Sequence, residues 1–136
     1  EEHEAPALLP RFVYGIPELY REAIRSAEAV AAAGCYPTAT ILACRPLIEA
    51  GLVDPASLIV DAASGVSGAG RGLKEATAFN TVEGSFSAYG LLSHRHTAEM
   101  EQELGATVLF TPHLAPMARG ILATCYFKAA RDMAPD

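Results

Sequence analysis

The chain has 136 residues, a net charge of −6, 51% hydrophobic and 19% charged residues. That suits one domain with a folded core and leaves little room for a separate cofactor domain beside a substrate domain. The acidic balance argues against a nucleic-acid or anionic-membrane surface. No stretch reaches the ~20 apolar residues of a membrane span, and Glu1-Glu2-His3-Glu4 lacks the basic-then-apolar layout of a signal peptide.

In chain order, the segment through Val13-Tyr14-Gly15 reads as an extended entry ending in a turn. Pro17 then opens a helix whose apolar face is Leu19, Ala23, Ile24, Ala27 and Val30, with Arg21 and Arg25 outside, until Gly34 interrupts it. A second helix is expected just after Cys35 and Tyr36, with Pro37 at its first position, and Pro46 kinking or ending it. Gly51 and Asp54-Pro55 are loop signals. Ser57 to Ala63 reads as a buried strand. It runs into a glycine-rich loop, Ser64 to Gly72. Lys74 to Glu83 is ambiguous. A strand is expected over Ser85–Leu92, then a short acidic helix from a Thr97 cap to Leu104. Two further strands follow, at Thr107–Thr111 and Ile121–Phe127. Strands alternating with helices and then predominating point to an α+β (mixed α/β) fold.

Three cysteines, Cys35, Cys44 and Cys125, show no paired spacing, so neither a disulfide framework nor a zinc knuckle is expected and a cytoplasmic location is the default. Cys35 stands apart, because Gly34-Cys35-Tyr36-Pro37 places its thiol in a turn at a helix start. Unpaired amides and the helix dipole there would favour a thiolate; the plainer alternative is a cysteine buried in a helix cap. Cys44 and Cys125 read as core. His94-Arg95-His96 offers two imidazoles facing one side if extended. They suit a general acid/base beside the thiol, a metal pair with His113 as a third ligand, or polar residues at a strand end. No fourth ligand is fixed by spacing, and no metal is expected. The Ser64–Gly72 loop could cradle a phosphate or carboxylate on its backbone N–H groups, or be a surface turn. It matches neither a dinucleotide fingerprint nor a P-loop. Arg119 could bind an anion bidentately or be solvated.

Several of these stretches, in this order, resemble the motifs of the N-acetyl-γ-glutamyl-phosphate reductases of arginine biosynthesis. They are Phe12-Val13-Tyr14-Gly15-Ile16-Pro17-Glu18-Leu19, Gly34-Cys35-Tyr36-Pro37-Thr38-Ala39 and Ser64-Gly65-Val66-Ser67-Gly68-Ala69-Gly70-Arg71. Ala88-Tyr89, His94-Arg95-His96-Thr97-Ala98-Glu99, Phe110-Thr111-Pro112-His113-Leu114 and Arg119-Gly120-Ile121-Leu122-Ala123-Thr124 continue the series. The chain departs from the family pattern at Ala32-Ala33, Ala98 and Ala118, where Asn-Pro, Pro and Asn are usual.

The resemblance implies an NADP(H)-dependent reduction of a small-molecule acyl phosphate. Cys35 would attack it, expel phosphate and form a thioester that hydride converts to the semialdehyde. His94 would be the acid/base, with His96 the second candidate, and Arg95 and Arg119 would bind the carboxylate or leaving phosphate. Ser64, Gly65, Ser67, Gly68, Gly70 and Arg71 would form a loop near cofactor and phosphate. It further implies a catalytic domain similar to the C-terminal domain of glyceraldehyde-3-phosphate and aspartate-semialdehyde dehydrogenases. Residues 1–33 would be a lead-in strand and helix, residues 34–136 part of the catalytic domain, with the Rossmann domain absent and the isolated chain inactive. A homo-oligomer is expected, with no nucleic-acid or membrane partner. The alternatives are a lysine-pathway aminoadipyl-phosphate reductase, or a non-catalytic remnant that binds a ligand or partner.

Overall fold

The computed structural model describes residues 4–72 and 74–132. They fall into two compact units that divide between Gly34 and Cys35. In the first, a 3-10 turn over Pro6–Arg11 leads into β1 (Phe12–Gly15), α1 (Pro17–Ser26) and β2 (Ala29–Ala32). β1 and β2 pair in parallel, Phe12 opposite Ala29 and Gly15 opposite Ala32. A Cβ on Gly15 would lie 2.7 Å from the Ala31 carbonyl oxygen, so the close strand approach requires glycine there.

The first helix does not continue toward Gly34; it ends at Ser26, and the alanine-rich run forms β2. The Ser26 hydroxyl donates back to the carbonyls of Glu22 and Ala23, and Ala27 turns extended at φ −75°, ψ 139°. Helix propensity in alanine amounts to only about 0.5 kcal/mol per residue over average formers, which the backbone ladder with β1 outweighs.

The second unit opens with α2 (Cys35–Glu49), which starts at the cysteine itself rather than at Pro37. Pro46 lies inside this helix and does not end it. The end comes at Gly51, φ +64°, where Leu52 N–H donates to the Leu47 carbonyl and Gly51 N–H to that of Ile48.

Four strands form a mixed sheet in the order β4-β5-β3-β6: β3 (Leu58–Ser64), β4 (Ser87–Ala88), β5 (Val108–Leu114) and β6 (Ile121–Tyr126). β3 runs parallel to β5 and antiparallel to β6, and β4 is antiparallel to β5. Between them lie α3 (Phe79–Val82), within the ambiguous stretch, and α4 (His96–Leu104). The fold is mixed α/β.

Two expectations are corrected here. The strand over Ser85–Leu92 is reduced to Ser87–Ala88, because Gly90 and Leu92 both take φ +56° and Ser93 N–H closes a turn on the Gly90 carbonyl. Thr97 is not the cap of α4: its N–H donates to the His94 carbonyl, and the helix already starts at His96.

One face of the sheet carries Leu58, Val60, Ala62, Val108 and Phe110, buried with Ile41 and Cys44 of α2 and Met100 and Leu104 of α4. Arg45 ties the two helices, its guanidinium donating to the Glu103 carbonyl at 3.1 Å and pairing with Glu49 at 2.7 Å. Residues of opposite parity face the other way: Ile59, Leu109, Leu122 and Tyr126 are 40–68% exposed.

Candidate active site

Cys35 is the first residue of α2 and is exposed. The first turn of a helix has amides without intrahelical acceptors and the positive end of the dipole, so an anion forming on this thiol is favoured by position. The thiol opens into a pocket of about 380 Å3 that is also lined by Tyr36, Ser64, Lys74, Tyr89, His94, Arg95 and His96. Among the described residues, no carboxylate lines it. In an acidic chain, that pocket has two cationic side chains, Lys74 and Arg95.

The structure thus brings Cys35, His94, Arg95 and His96 together with Ser64, Gly65 and Gly68 of the glycine-rich loop. His94 and His96 sit at the start of α4 with ring centroids 4.8 Å apart. The Nδ1 of His94 accepts the His96 backbone N–H at 3.2 Å, the capping bond expected of Thr97. A neutral His94 therefore holds its proton on Nε2. Burial, aided by the neighbouring His96 and Arg95, lowers the pKa of His94. Burial also lowers that of His96, opposed by Glu99 and assisted by Arg95. The Nδ1 of His96 is buried without a hydrogen-bond partner among the described residues.

Aromatic rings pack around the histidines. Tyr36, 2% exposed, meets His94, His96 and Phe110 edge-on, and its hydroxyl lies 2.9 Å from that of Tyr89. Burial and this bond to Tyr89 push the Tyr36 phenol well above its ordinary pKa. None of these rings was singled out for a role by sequence alone. The available signals were that Tyr36 directly follows the nucleophile and that Tyr89 lies in a family-like motif.

The glycine-rich loop departs from expectation in its amides. Gly65, Val66 and Ser67 donate to the carbonyls of Gly120, Met117 and Ala118, while Gly68 and Gly70 donate to Gly65 and Ser67. Three of these N–H groups thus bind residues 117–120 and two bind within the loop itself, so these five amides are already paired. Gly65 is required by the same approach, since a Cβ there would lie 2.7 Å from Arg119 N and 2.9 Å from the Met117 carbonyl oxygen. Ser67, Gly70, Arg71 and Arg119 line a separate, adjoining depression, which shares Lys74 and Thr77 with the cysteine pocket.

Cys44 is fully buried and Cys125 half-buried. They share a hydrogen bond, which with burial raises the Cys44 thiol; the same bond lowers the Cys125 thiol against an opposing effect of burial. His113 lies apart from the other histidines, in a depression with Asp61 and Leu122 and stacked on Phe86 at 5.1 Å. Among the described residues, no group of three or more His, Cys, Asp or Glu side chains could hold a metal ion, and no helix is long and apolar enough to cross a membrane.

Comparison with known proteins bears on this constellation directly. Residues 35–136, from the candidate nucleophile onward, match the family model described as "Semialdehyde dehydrogenase, dimerisation domain". The chain belongs to the semialdehyde dehydrogenase dimerisation-domain family. It is also similar to curated proteins named N-acetyl-gamma-glutamyl-phosphate reductase. The one from Desulforudis audaxviator is 54% identical over 94% of this chain and 39% of its own length. That from Syntrophobacter fumaroxidans is 50% identical over 100% of this chain and 41% of its own, and that from Moorella thermoacetica 52% identical over 96% and 39%. The chain thus spans about two fifths of the length of these relatives. Within the semialdehyde dehydrogenase family segment lie all the candidate site residues, Cys35 through Arg119.

Proposed function

We propose that this chain supplies the acyl-transfer half of an acyl-phosphate reductase acting on N-acetylglutamyl 5-phosphate in arginine biosynthesis. The observation that carries the reading is Cys35 at a helix N-terminus, opening into a pocket shared with two histidines, two cations and, among the described residues, no carboxylate. The names of relatives at 50–54% identity support the acetylglutamyl substrate over the aminoadipyl one.

In this reading the Cys35 sulfur attacks the acyl carbon. The S–C bond forms, the C–O bond to phosphate breaks with its electron pair, and inorganic phosphate leaves. The capping bond at Nδ1 makes the Nε2 of His94 a donor, suited to the acid half of the chemistry at the carbonyl oxygen. His96, which lines the same pocket, is the second candidate for the thiol proton. Lys74 and Arg95 balance the substrate's charge in the pocket, and Arg71 and Arg119 present further cations in the adjoining depression. The family implies NADP(H). The paired amides of the glycine-rich loop do not fit a pyrophosphate cradle, so the chemistry assigned to these residues stops at acyl transfer. The chain alone is expected to form a thioester and not to reduce it.

The fold reading is a catalytic domain similar to that of glyceraldehyde-3-phosphate and aspartate-semialdehyde dehydrogenases. The family's dimerisation name and the apolar sheet face with Ile59, Leu109, Leu122 and Tyr126 support a homo-oligomer joined through that face. Free thiols suit a cytoplasmic location.

Iodoacetamide tests the site. Near neutral pH, Cys35 is expected to alkylate first, the half-buried Cys125 more slowly and Cys44 last. Equal, slow labelling of all three would remove the activated nucleophile from the account.

A further inference from the structure

His94 lacks the partner that usually orients a catalytic histidine. Among the described residues no carboxylate hydrogen-bonds to it; its Nδ1 is taken by the His96 backbone N–H at 3.2 Å. Its ring is instead enclosed edge-on by Tyr36 at 5.7 Å, Tyr89 at 5.6 Å and Phe110 at 5.3 Å, with interplanar angles of 65–89°. Tyr36 and Phe110 are core residues on α2 and β5, fixed by the packing of the whole unit. Tyr89 is different. It follows the two-residue strand β4, is 38% exposed, and forms the solvent side of the enclosure and part of the pocket wall.

Two bonds hold Tyr89 there. Its N–H donates to the Pro112 carbonyl at 3.0 Å, and its hydroxyl meets that of Tyr36 at 2.9 Å. The Tyr36 oxygen also lies 3.4 Å from the His113 carbonyl oxygen, which can only accept. The two phenol hydroxyls, either of which can be the donor, form a clasp across the cleft between α2 and the β4 edge. The next residue, Gly90, completes the fit: a Cβ on it would sit 3.3 Å from the His94 Cδ2.

We propose that Tyr89, clasped to Tyr36, is a positioning residue that holds the His94 ring over the Cys35 pocket and shuts water away from it. This rests on the acyl-transfer reading for its purpose, though not for its geometry. Edge-to-face contacts set the tilt of the imidazole, and the phenol clasp keeps the outer ring from swinging into solvent. The titratable and charged groups that line the pocket with His94 are His96 and Arg95 on its own segment, Cys35 and Tyr36 from α2, Tyr89 from the β4 edge and Lys74; of these, His96 and Arg95 lower its pKa.

The test is the His94 titration followed by imidazole NMR in this chain, with thermal unfolding and the pH profile of Cys35 alkylation recorded alongside. Tyr89→Ala opens the enclosure and is expected to raise the His94 midpoint by roughly half a unit or more, moving the alkylation profile with it. Tyr89→Phe keeps the ring and loses only the clasp, so it should restore most of the native value. Should Tyr89→Ala not fold, Tyr36→Phe breaks the clasp with both rings in place and should shift the midpoint in the same direction by less. An unchanged His94 midpoint in folded Tyr89→Ala, or in Tyr36→Phe where the alanine variant does not fold, overturns the proposal. Slow alkylation of Cys35 in the unaltered chain would instead defeat the acyl-transfer reading and leave the His94 titration as informative as before.

Discussion

At the scale of single residues, the pocket favours the neutral form of two imidazoles beside a thiol. Burial lowers the pKa of both His94 and His96, with Arg95 adding to it. The folded chain therefore binds fewer protons than the unfolded chain as pH falls through the ordinary histidine value near about 6.5. Stability tied to these residues is fully present above that value and is lost as pH drops toward the lower folded-state values. The denaturation midpoint should accordingly fall between about pH 7.5 and about pH 5.5, and the double variant His94→Gln, His96→Gln should flatten that slope. A slope unaltered in the double variant would assign the pH dependence to other groups. Cys35, the histidines and Arg95 were all legible as candidates from residue type and motif order. Tyr36 and Tyr89 were not, because an aromatic enclosure depends on which rings three separate elements bring together, and sequence spacing does not record that.

At the scale of elements, the two loops beside the pocket act as one piece. Three amides of Gly65, Val66 and Ser67 bind carbonyls of residues 117–120, and the fit leaves no room for a side chain at Gly65. Gly65→Ala is expected to cost about 1–3 kcal/mol by forcing backbone apart. Gly72→Ala, where a Cβ meets nothing within 4 Å, should be near neutral. Equal denaturation midpoints for the two variants would show that the loops separate freely. The strands at the sheet centre were readable because β3 alternates apolar side chains over a buried face. Their ends were less so. β5 runs on through Pro112, past the expected stop at Thr111, because the Pro112 carbonyl takes the Tyr89 amide and the strand continues beside β3 to Leu114. The alanine run after α1 read as helix because its strand partner, β1, is remote in sequence.

At the scale of the whole molecule, the second unit presents one covered and one open sheet face, and the open one carries Leu122 at 68% exposure. If a second copy covers that face, Leu122→Asp should convert a dimer to a monomer in sedimentation while Cys35 alkylation stays unchanged; a variant that still sediments as a dimer would move the interface elsewhere. The proposed function turns on one chemical event, attack by Cys35 on an acyl phosphate. Intact-mass and peptide analysis of the chain after exposure to N-acetylglutamyl 5-phosphate measures it directly. One hydroxylamine-sensitive acyl group is expected on Cys35, matched by released phosphate and absent in Cys35→Ser. An unmodified Cys35, or acylation distributed equally over Cys35 and Cys125, would contradict it.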